Sequence, residues 1–448
     1  MALLDWLCLG GTEIANAART IAYARNGLKP HTMTVRDCYC SDLPLILGDG
    51  EYRLPVLDTH APPPWLDHAV PESYEFAGLL VTGVEGLDAA PVERPVVQRL
   101  GDGAVAGRRR YGPRTIVVTG ILLGSTCCGI DYGMRWLASA LRGSMACGPG
   151  GGCSGDDLRY LSCCPEVCED APAFTTVEDC AAPHWRTLRD VTLIDGPKVT
   201  GAVGASCGCC QSCPPKQVEF TLLAGRPHAL RDPITVTAPG ETWTEEDPEA
   251  ACVTWSNDPD CVATQDGCEP VTVSCLDVAL AGLGCAPTAP PDLPVPGNPC
   301  ACEPLSRRRH CIDIPSSVLT PIWSDVVPDI EIYAGGNALR SVRVRFYPNP
   351  LGRTIEELEE CGWCAEVNVT VIPEYSTLRI DGTRRRVTVT CPGSPEAPAG
   401  AAVTGTGGMP YTWPVLDCGV PYIACVEAAS GTIAPDATIT IRVISREV

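Results

Sequence analysis

The chain has 448 residues, of which 45% are hydrophobic, so it is long enough to build more than one apolar core. Its net charge of −21 argues against a sequence-independent grip on DNA or RNA, which needs clustered Lys and Arg. Glycine supplies 44 residues and proline 43, against four phenylalanines, so we predict a mainly β protein with many short strands and turns.

The number of cysteines and the N-terminal sequence point to different compartments. There are 28 cysteines, which is typical of proteins in oxidising environments. Yet MALLDWLCLGGTEIANAA has an acidic residue at position 5 and no basic region, so we do not interpret it as a signal peptide. No run approaches the ~20 apolar residues of a membrane-spanning helix. Two explanations stay open: synthesis in the cytosol followed by release on lysis, or cytosolic metal binding.

Strands and one helix are predicted in the first half from hydrophobic periodicity. Residues 111–124, 191–199 and 216–225 read as strands, and 129–143 as an amphipathic helix. A cysteine-dense stretch, 144–180, leaves the sheet between the helix and the second of these strands. The side chains expected in the core are Val218, Phe220 and Leu222 from the last strand and Ile130, Met134, Leu137 and Leu141 from the helix.

The segment DTHAPPPWLDH is the strongest candidate for catalytic chemistry. It brings Asp58, His60, Asp67 and His68 close together in sequence, as a hydrolytic metal site would. The prolines between them favour a turn or an extended loop instead. The chain also has no HExxH helix and no phosphate-cradling P-loop. We therefore predict that the protein is not an enzyme and has no cofactor.

The second half begins with a Pro- and Cys-rich stretch, 238–312, which we interpret as an extended linker. Alternation then returns, and Asp381–Gly382 is predicted to form a type I′ hairpin turn. Val342, Val344 and Phe346 are expected to face inward. The predicted strands are 341–348, 366–373, 385–390 and 438–445, so residues 313–448 are predicted to form an antiparallel β-sandwich.

The motif CGWC, residues 361–364, has the spacing of a dithiol redox centre. It follows TIEELEE, a short predicted helix for which Thr354 and Glu357 supply a capping box. The motif therefore lies at the end of a helix, where the dipole disfavours thiolates. Pairing of Cys361 and Cys364 with cysteines elsewhere in the sandwich is favoured over redox catalysis.

Motifs of one protein family are spread over most of the chain. They are RRRYGPRTIVVTGILLG with RWLASALRG, RTLRDVTLIDGPKV, VEFTLLAGRPHAL, STLRIDGTRRRVTVT, and PYTWPVLDCG followed by TITIRVIS. In this order, with cysteine-rich stretches in the same gaps, the chain resembles the distal tail proteins, also classed as minor tail proteins, of long-tailed bacteriophages that infect actinobacteria.

This resemblance implies a domain organisation and a structural role. It implies a ring-forming belt β domain (76–237) and a galectin-like β-sandwich (313–448), whereas the N-terminal arm (1–75) and the linker (238–312) depart from simpler members of the family. The implied protein is a virion component at the tail tip, assembled in the host cytoplasm as a homo-oligomeric ring, usually a hexamer. The ring would join the tail tube protein to the tail-tip hub protein and surround the channel for the tape measure protein and DNA. Neither sequence-specific nucleic-acid binding nor a membrane partner is implied.

A carbohydrate-binding or host-surface adhesin module of the tail tip is the alternative function. Galectin-like sandwiches can hold sugars against an aromatic platform, and Trp363 and Trp413 are the candidate aromatic residues. For Trp413, which lies inside PYTWPV, burial in the core of the sandwich is the favoured interpretation.

The stretch SCGCCQSC, residues 206–213, could hold zinc or an iron–sulfur cluster or could form disulfides. A virion protein assembles in a reducing cytosol and works outside the cell, so the resemblance favours disulfides that tie the cysteine-bearing loops together. A metal site that also uses Cys163, Cys164 or Cys168 stays open. The disulfide candidates are Cys147, Cys153, Cys163, Cys164, Cys168, Cys180, Cys207, Cys209, Cys210, Cys213, Cys361, Cys364, Cys418 and Cys425.

Overall fold

The computed structural model describes residues 5–26, 40–143, 155–164, 176–203, 214–243, 252–256, 300–304, 307–321, 323–358, 362–429 and 432–448. They form two compact units, Met1–Asp232 with Glu447–Val448, and Pro233–Arg446. Antiparallel strands dominate both units and the helices are short, which confirms the predicted mainly β class. No helix among the described residues is long and apolar enough to cross a bilayer.

The described residues of the first unit form strands and four short helices. Its helices are α1 (Ala17–Asn26), α2 (Leu43–Leu47), α3 (Cys127–Ala140) and α4 (Val177–Ala181), with 3₁₀ turns at Pro71–Tyr74 and Ala182–His184. Its strands are β1 (Trp6–Leu9), β2 (Thr12–Asn16), β3 (Phe76–Glu85), β4 (Val92–Glu93), β5 (Val96–Gln98), β6 (Ala104–Ala106), β7 (Arg110–Tyr111), β8 (Arg114–Gly124), β9 (Asp156–Leu161), β10 (Trp185–Ala202), β11 (Lys216–Ala224) and β12 (Ala229–Leu230).

One antiparallel sheet organises the first unit, in the strand order β2-β1-β9-β10-β11-β8-β3. Strand β10 is long enough to pair with β9 along its first half and with β11 from Val191 onward. The inward residues predicted for β11 and α3 are buried, except Met134, which is partly buried against the same core. Helix α3 begins after Thr126, whose side chain accepts a hydrogen bond from the Gly129 backbone N–H, so a threonine N-cap sets its start.

The segment interpreted as an N-terminal arm, residues 1–75, belongs to the first compact unit. Leu7, Leu9 and Ile14 are buried in its core, and β1 pairs directly with β9. A disulfide between Cys40 and Cys164, 124 residues apart in sequence, ties the segment to the end of β9. The physical reason is that an arm with this many apolar side chains can remove them from water only by packing on the sheet.

The described residues of the second unit form two sheets and a separate two-stranded ribbon. Its strands are β13 (Ile234–Thr235), β14 (Cys252–Ser256), β15 (Cys300–Pro304), β16 (Arg307–Ile314), β17 (Asp325–Tyr333), β18 (Leu339–Pro348), β19 (Ala365–Ile372), β20 (Thr377–Asp381), β21 (Arg386–Thr390), β22 (Ala397–Pro398), β23 (Val403–Thr404), β24 (Tyr422–Ala429) and β25 (Thr438–Glu447). Helix α5 spans Ile355–Leu358, and 3₁₀ turns lie at Ser316–Val318, Gly400–Ala402 and Thr406–Gly408.

The two sheets form an antiparallel sandwich. One has the order β16-β24-β18-β19-β23 and the other β13-β25-β17-β20-β21-β22. Their apolar side chains meet in one core, where Val342, Val344 and Phe346 are buried as predicted. The linker boundaries need correction, because residues 307–312 belong to β16 and Trp243 is buried in the sandwich core.

The predicted two-residue turn at Asp381–Gly382 is wrong. Asp381 pairs with Arg386, which leaves a four-residue loop between β20 and β21. The Asp381 Oδ1 atom accepts hydrogen bonds from the backbone N–H groups of Thr383 and Arg384. This side-chain bonding supports a wider turn, in which the left-handed residue is Arg385 and not Gly382.

Candidate functional site

A projecting β-hairpin, residues 91–112, lies between β3 and β8 of the first unit. It consists of two short ribbons: β4 pairs with β7, and β5 pairs with β6. The outer ribbon closes with a hydrogen bond from the Arg99 N–H to the Gly103 carbonyl, and Gly103 has a φ of +93° that favours glycine. Hydrophobic periodicity in the sequence did not predict this hairpin, although LGDG between two valine-containing runs is a turn signal.

Prolines divide the hairpin into its two ribbons. Pro95 and Pro91 have no N–H to donate, and each accepts one hydrogen bond, from Gly107 and Gly112 respectively. The ladder is therefore interrupted between β4 and β5. Prolines at these positions also weaken the outer edge as a template for further strand pairing.

The hairpin exposes apolar side chains that a stable core would bury. Val96 is 62% exposed, Val97 67%, and Leu100 is fully exposed at the tip. Val92 and Val105 are also exposed, whereas Leu87, just before the hairpin, is buried. A two-stranded ribbon has no core of its own and is marginally stable in water. Val97 and Val105 are paired across the outer ribbon and share one face, Val96 lies on the other face, and nothing of the described first unit buries them.

The charge of the hairpin is opposite to that of the chain. Residues 91–112 carry five arginines and two carboxylates, while the whole chain has a net charge of −21. The guanidinium of Arg109 lies 4.8 Å from the centroid of the Tyr111 ring, a cation–π contact. The exposed arginines are Arg94, Arg99, Arg108, Arg109 and Arg110.

The cysteine candidates fall into three groups. Cys164 pairs with Cys40, Cys425 pairs with Cys311 across β24 and β16, and Cys180 is also disulfide-bonded. Cys40 and Cys311 were not among the predicted cysteines, because a partner distant in sequence gives no local signal. Eight candidates lie outside the described residues: Cys147, Cys153, Cys168, Cys207, Cys209, Cys210, Cys213 and Cys361.

Three predicted disulfide cysteines are free thiols instead: Cys163, Cys364 and Cys418. Each has a polar contact other than a second sulfur. Cys418 donates to the Ser324 carbonyl at 2.7 Å, Cys364 donates to the Phe346 carbonyl at 3.4 Å, and Cys163 contacts His184. Although Cys364 is exposed as a residue, burial of its thiol raises its pKa.

The candidate aromatic residues of the sandwich are both in contact with protein. The Trp363 ring packs beside Tyr347 and Ile423, and the Arg345 guanidinium lies 4.4 Å from its centroid. Trp413 packs against the sandwich core with its ring centroid 4.8 Å from that of Tyr411.

The Asp/His segment forms a loop with structural roles. Asp58 is buried and accepts hydrogen bonds from the Tyr23 hydroxyl and the Arg53 backbone N–H. His68 contacts the Tyr74 hydroxyl at 2.9 Å at the surface. Within the described ranges, no group of three or more His, Cys, Asp or Glu side chains could hold a metal ion.

Comparisons with known proteins give no sequence relative, since no family model and no curated protein match the chain. Among solved structures, the chain is similar to the Dit protein (gp 19.1) of SPP1, with a TM-score of 0.34. That protein is described as a paradigm of the hub adsorption apparatus in phages that infect Gram-positive bacteria. The match has 10% identity and covers 84% of this chain and 94% of that one. A chain of the activated phage p2 baseplate, with Sr or with Ca, is similar with a TM-score of 0.32 and 11% identity over 78% of this chain and 90% of its own. At these values the likeness is coarse and carries no functional argument.

Proposed function

We propose that this chain is a structural virion protein of a phage tail tip, and that it assembles through the hairpin 91–112. The proposed assembly is a homo-oligomeric ring, of six copies, that joins the tail tube to the tail-tip hub and surrounds the channel for tape measure protein and DNA. The observation that carries the proposal is the uncovered apolar surface of the hairpin.

The apolar side chains of the hairpin need a protein partner. Val96, Val97 and Leu100 expose most of their surface, and burial of apolar surface is worth roughly 25 cal/mol per Å². Clustered exposed apolar residues of this kind mark contact surfaces, whereas singly scattered ones do not. The isolated ribbon gains little stabilisation when it orders, because it buries little apolar surface. It becomes more stable when it packs on a second protein surface.

Charge favours a second copy of the chain as that partner. The hairpin carries more arginines than carboxylates on a chain with a net charge of −21. Another copy therefore carries a net negative charge, which attracts the hairpin over a range of about 8–10 Å at physiological salt. A head-to-tail contact, in which the hairpin of one copy meets a different surface of the next, closes into a ring when the rotation between copies allows it.

The resemblance of the sequence motifs to distal tail proteins supports the adaptor role in particular. RTLRDVTLIDGPKV lies on β10 and VEFTLLAGRPHAL begins on β11, the two strands at the centre of the first sheet. STLRIDGTRRRVTVT spans β20 and β21 of the sandwich. A ring of first units would surround the channel and carry the sandwiches, with the tail tube and the hub on its two sides.

The test is the oligomeric state of hairpin variants, measured by native mass spectrometry and electron microscopy with and without the tail tube protein. We expect rings from the wild type, and loss of rings in Val97→Asp and Leu100→Asp, because a buried unpaired carboxylate opposes the contact. Leu351→Asp is the matched control, since Leu351 is 70% exposed in the second unit, and it should leave the rings intact. A wild type that stays monomeric even at the end of the tube, or hairpin variants that assemble normally, would contradict the proposal.

An adhesin role is a second candidate, favoured by one observation in the second unit. Trp323 is 77% exposed, an unusual exposure for a residue that typically stacks on ligands or partners. A glycan array with the purified chain tests this role. Saturable binding that is lost in Trp323→Ala or Trp363→Ala would support the adhesin role. Absence of binding would contradict it, and the ring would then be the sole proposed role.

A further inference from the structure

Cys163 and His184 form a thiol–imidazole pair that has no role in the proposed ring. The Cys163 Sγ atom lies 2.8 Å from Nδ1 of His184. Cys163 is an exposed free thiol, and His184 is half-buried. A thiol within hydrogen-bond distance of an imidazole is the arrangement in which histidine activates a cysteine nucleophile.

The backbone fixes this pair through the register of two strands. Trp185 at the start of β10 pairs with Leu161 at the end of β9, and the Ser162 N–H donates to the His184 carbonyl at 2.9 Å. The segment that follows β9 and the segment that precedes β10 therefore lie side by side beyond the ladder, with Cys163 next to His184. Only the main chain of His184 takes part in this ladder, so its side chain can be changed without breaking a backbone bond.

Consecutive cysteines here have different partners. The chain bends after β9 ends at Leu161, and there Cys164 bonds to Cys40 whereas Cys163 contacts His184. Cys163 is a free thiol with its Sγ atom beside the imidazole.

The surroundings keep the imidazole neutral. Burial lowers the pKa of His184, and the positive charges of Arg186 and Arg231 lower it further. Both arginines pair with one carboxylate, Glu447, at 2.7 and 2.8 Å, so two guanidinium charges face one negative charge. A neutral imidazole has a ring nitrogen that can accept the thiol proton.

We propose that Cys163 is a thiol–disulfide exchange site for an accessible disulfide outside the chain, with His184 as its proton acceptor. The Cys163 S–H proton moves to Nδ1 of His184, and the thiolate attacks one sulfur of the external disulfide. The external S–S bond breaks as the Cys163 mixed disulfide forms. The departing thiolate takes the proton from His184 and leaves as a thiol, so no separate oxidant is needed. This proposal does not depend on the ring function.

Other free thiols of the described chain are controls for this reactivity. The pKa of Cys364 is raised by burial of its thiol. The pKa of Cys8 is raised to about 11, first by burial and then by the charge of Glu13. Cys128 is exposed in the first turn of α3, next to the disulfide-bonded Cys127, so Cys364 is the cleaner comparison.

The experiment follows mixed-disulfide formation at each cysteine with oxidised glutathione as the probe, by peptide mapping of the full chain at neutral pH. We expect Cys163 to react at least ~10-fold faster than Cys364. In His184→Ala the rate at Cys163 should fall about 10-fold or more, with Cys364 unchanged. Free imidazole added to His184→Ala should raise the rate at Cys163 alone, an effect that a purely structural role would not produce.

Retention of the Cys40–Cys164 disulfide in the maps reports that the variant is folded. In a variant that retains it, an unchanged rate at Cys163 would overturn the proposal. So would a wild type in which Cys364 reacts as fast as Cys163.

Discussion

Arg114 holds the base of the hairpin by donating from Nη1 to the Leu87 carbonyl at 2.6 Å. These two residues flank the hairpin, and Arg114 is only 2% exposed. Its guanidinium also donates to the carbonyls of Pro227 and Glu447. Burial lowers the pKa of Arg114, because the charge has lost water and has mainly neutral carbonyls around it. The exposed ribbon therefore begins from a rigid, buried anchor.

Replacement of Arg114 by lysine should destabilise the first unit by ~2 kcal/mol. A single ammonium cannot reach carbonyls that a planar guanidinium bonds in several directions, so buried acceptors lose their donor. Denaturant unfolding measures the loss, and hydrogen exchange should increase at residues 87–92. Arg99→Lys, an exposed change on the same hairpin, is the control and should have no effect. Equal stabilities of the two variants would argue against the anchor.

Gly133 on α3 should not tolerate alanine. A Cβ atom built there would lie 2.1 Å from the ring of Phe76, which is fully buried beneath the helix. Alanine gains about 1 kcal/mol in helix propensity, but overpacking a rigid core costs typically 1–3 kcal/mol or more. We expect Gly133→Ala to lower the free energy of unfolding, measured by thermal or urea denaturation. Ser139→Ala, at an exposed position of the same helix, is the control and should be neutral or stabilising. Stabilisation by Gly133→Ala would contradict the prediction, because it would mean that α3 can move away from Phe76.

Sequence periodicity predicted the parts of the fold in which each strand has one buried face. The alternation at Val218, Phe220 and Leu222, and that at Val342 and Val344, matches strands whose inward residues are fully buried. In these segments a shift of one residue would expose the whole apolar set, so the sequence determines the register.

The hairpin and the thiol–imidazole pair could not be predicted in this way. The hairpin has strands of two or three residues with valines on exposed positions, so no periodic signal distinguishes it from a loop. Cys163 and His184 are 21 residues apart, and only the pairing of β9 with β10 brings them together. The same holds for Cys40 and Cys311, whose partners are more than one hundred residues away.

Loss of the Cys311–Cys425 disulfide should destabilise the second unit. The two cysteines are directly opposed on β16 and β24, with their Cα atoms 4.1 Å apart, and they are separated by 114 positions in sequence. In the chain-entropy model a crosslink that closes a loop of this size contributes about 4–5 kcal/mol. The double variant Cys311→Ala/Cys425→Ala should therefore unfold at lower urea concentration. Cys364→Ala removes a free thiol and is the matched control; a similar loss of stability in both would contradict a role for the disulfide.

Glu366 on β19 should make the stability of the second unit sensitive to acid. Its side chain is 5% exposed and accepts hydrogen bonds from Arg345 and Asn368, each at 2.8 Å. Burial alone would raise the pKa of Glu366, but the hydrogen bonds from Asn368 and Arg345 and the charge of Arg345 outweigh it, so the pKa lies below its ordinary value of 4.5. Because the folded pKa is lower than the unfolded one, the stabilisation is fully present above pH 4.5 and is lost as the pH falls through the folded pKa.

The variant Glu366→Gln tests this dependence. At pH 7 it should be less stable than the wild type by ~2 kcal/mol, because Arg345 loses its charged partner in a buried site. At pH 3, which is below the ordinary pKa of 4.5, the unfolded chain is protonated at this position and part of the stabilisation is lost, so the two proteins should differ less. Urea midpoints of the second unit at both pH values give the comparison, and Glu374→Gln, at an exposed position, should follow the wild type throughout. A difference between Glu366→Gln and the wild type that is equally large at pH 3 and pH 7 would mean that packing, and not the charge of Glu366, stabilises this part of the sandwich.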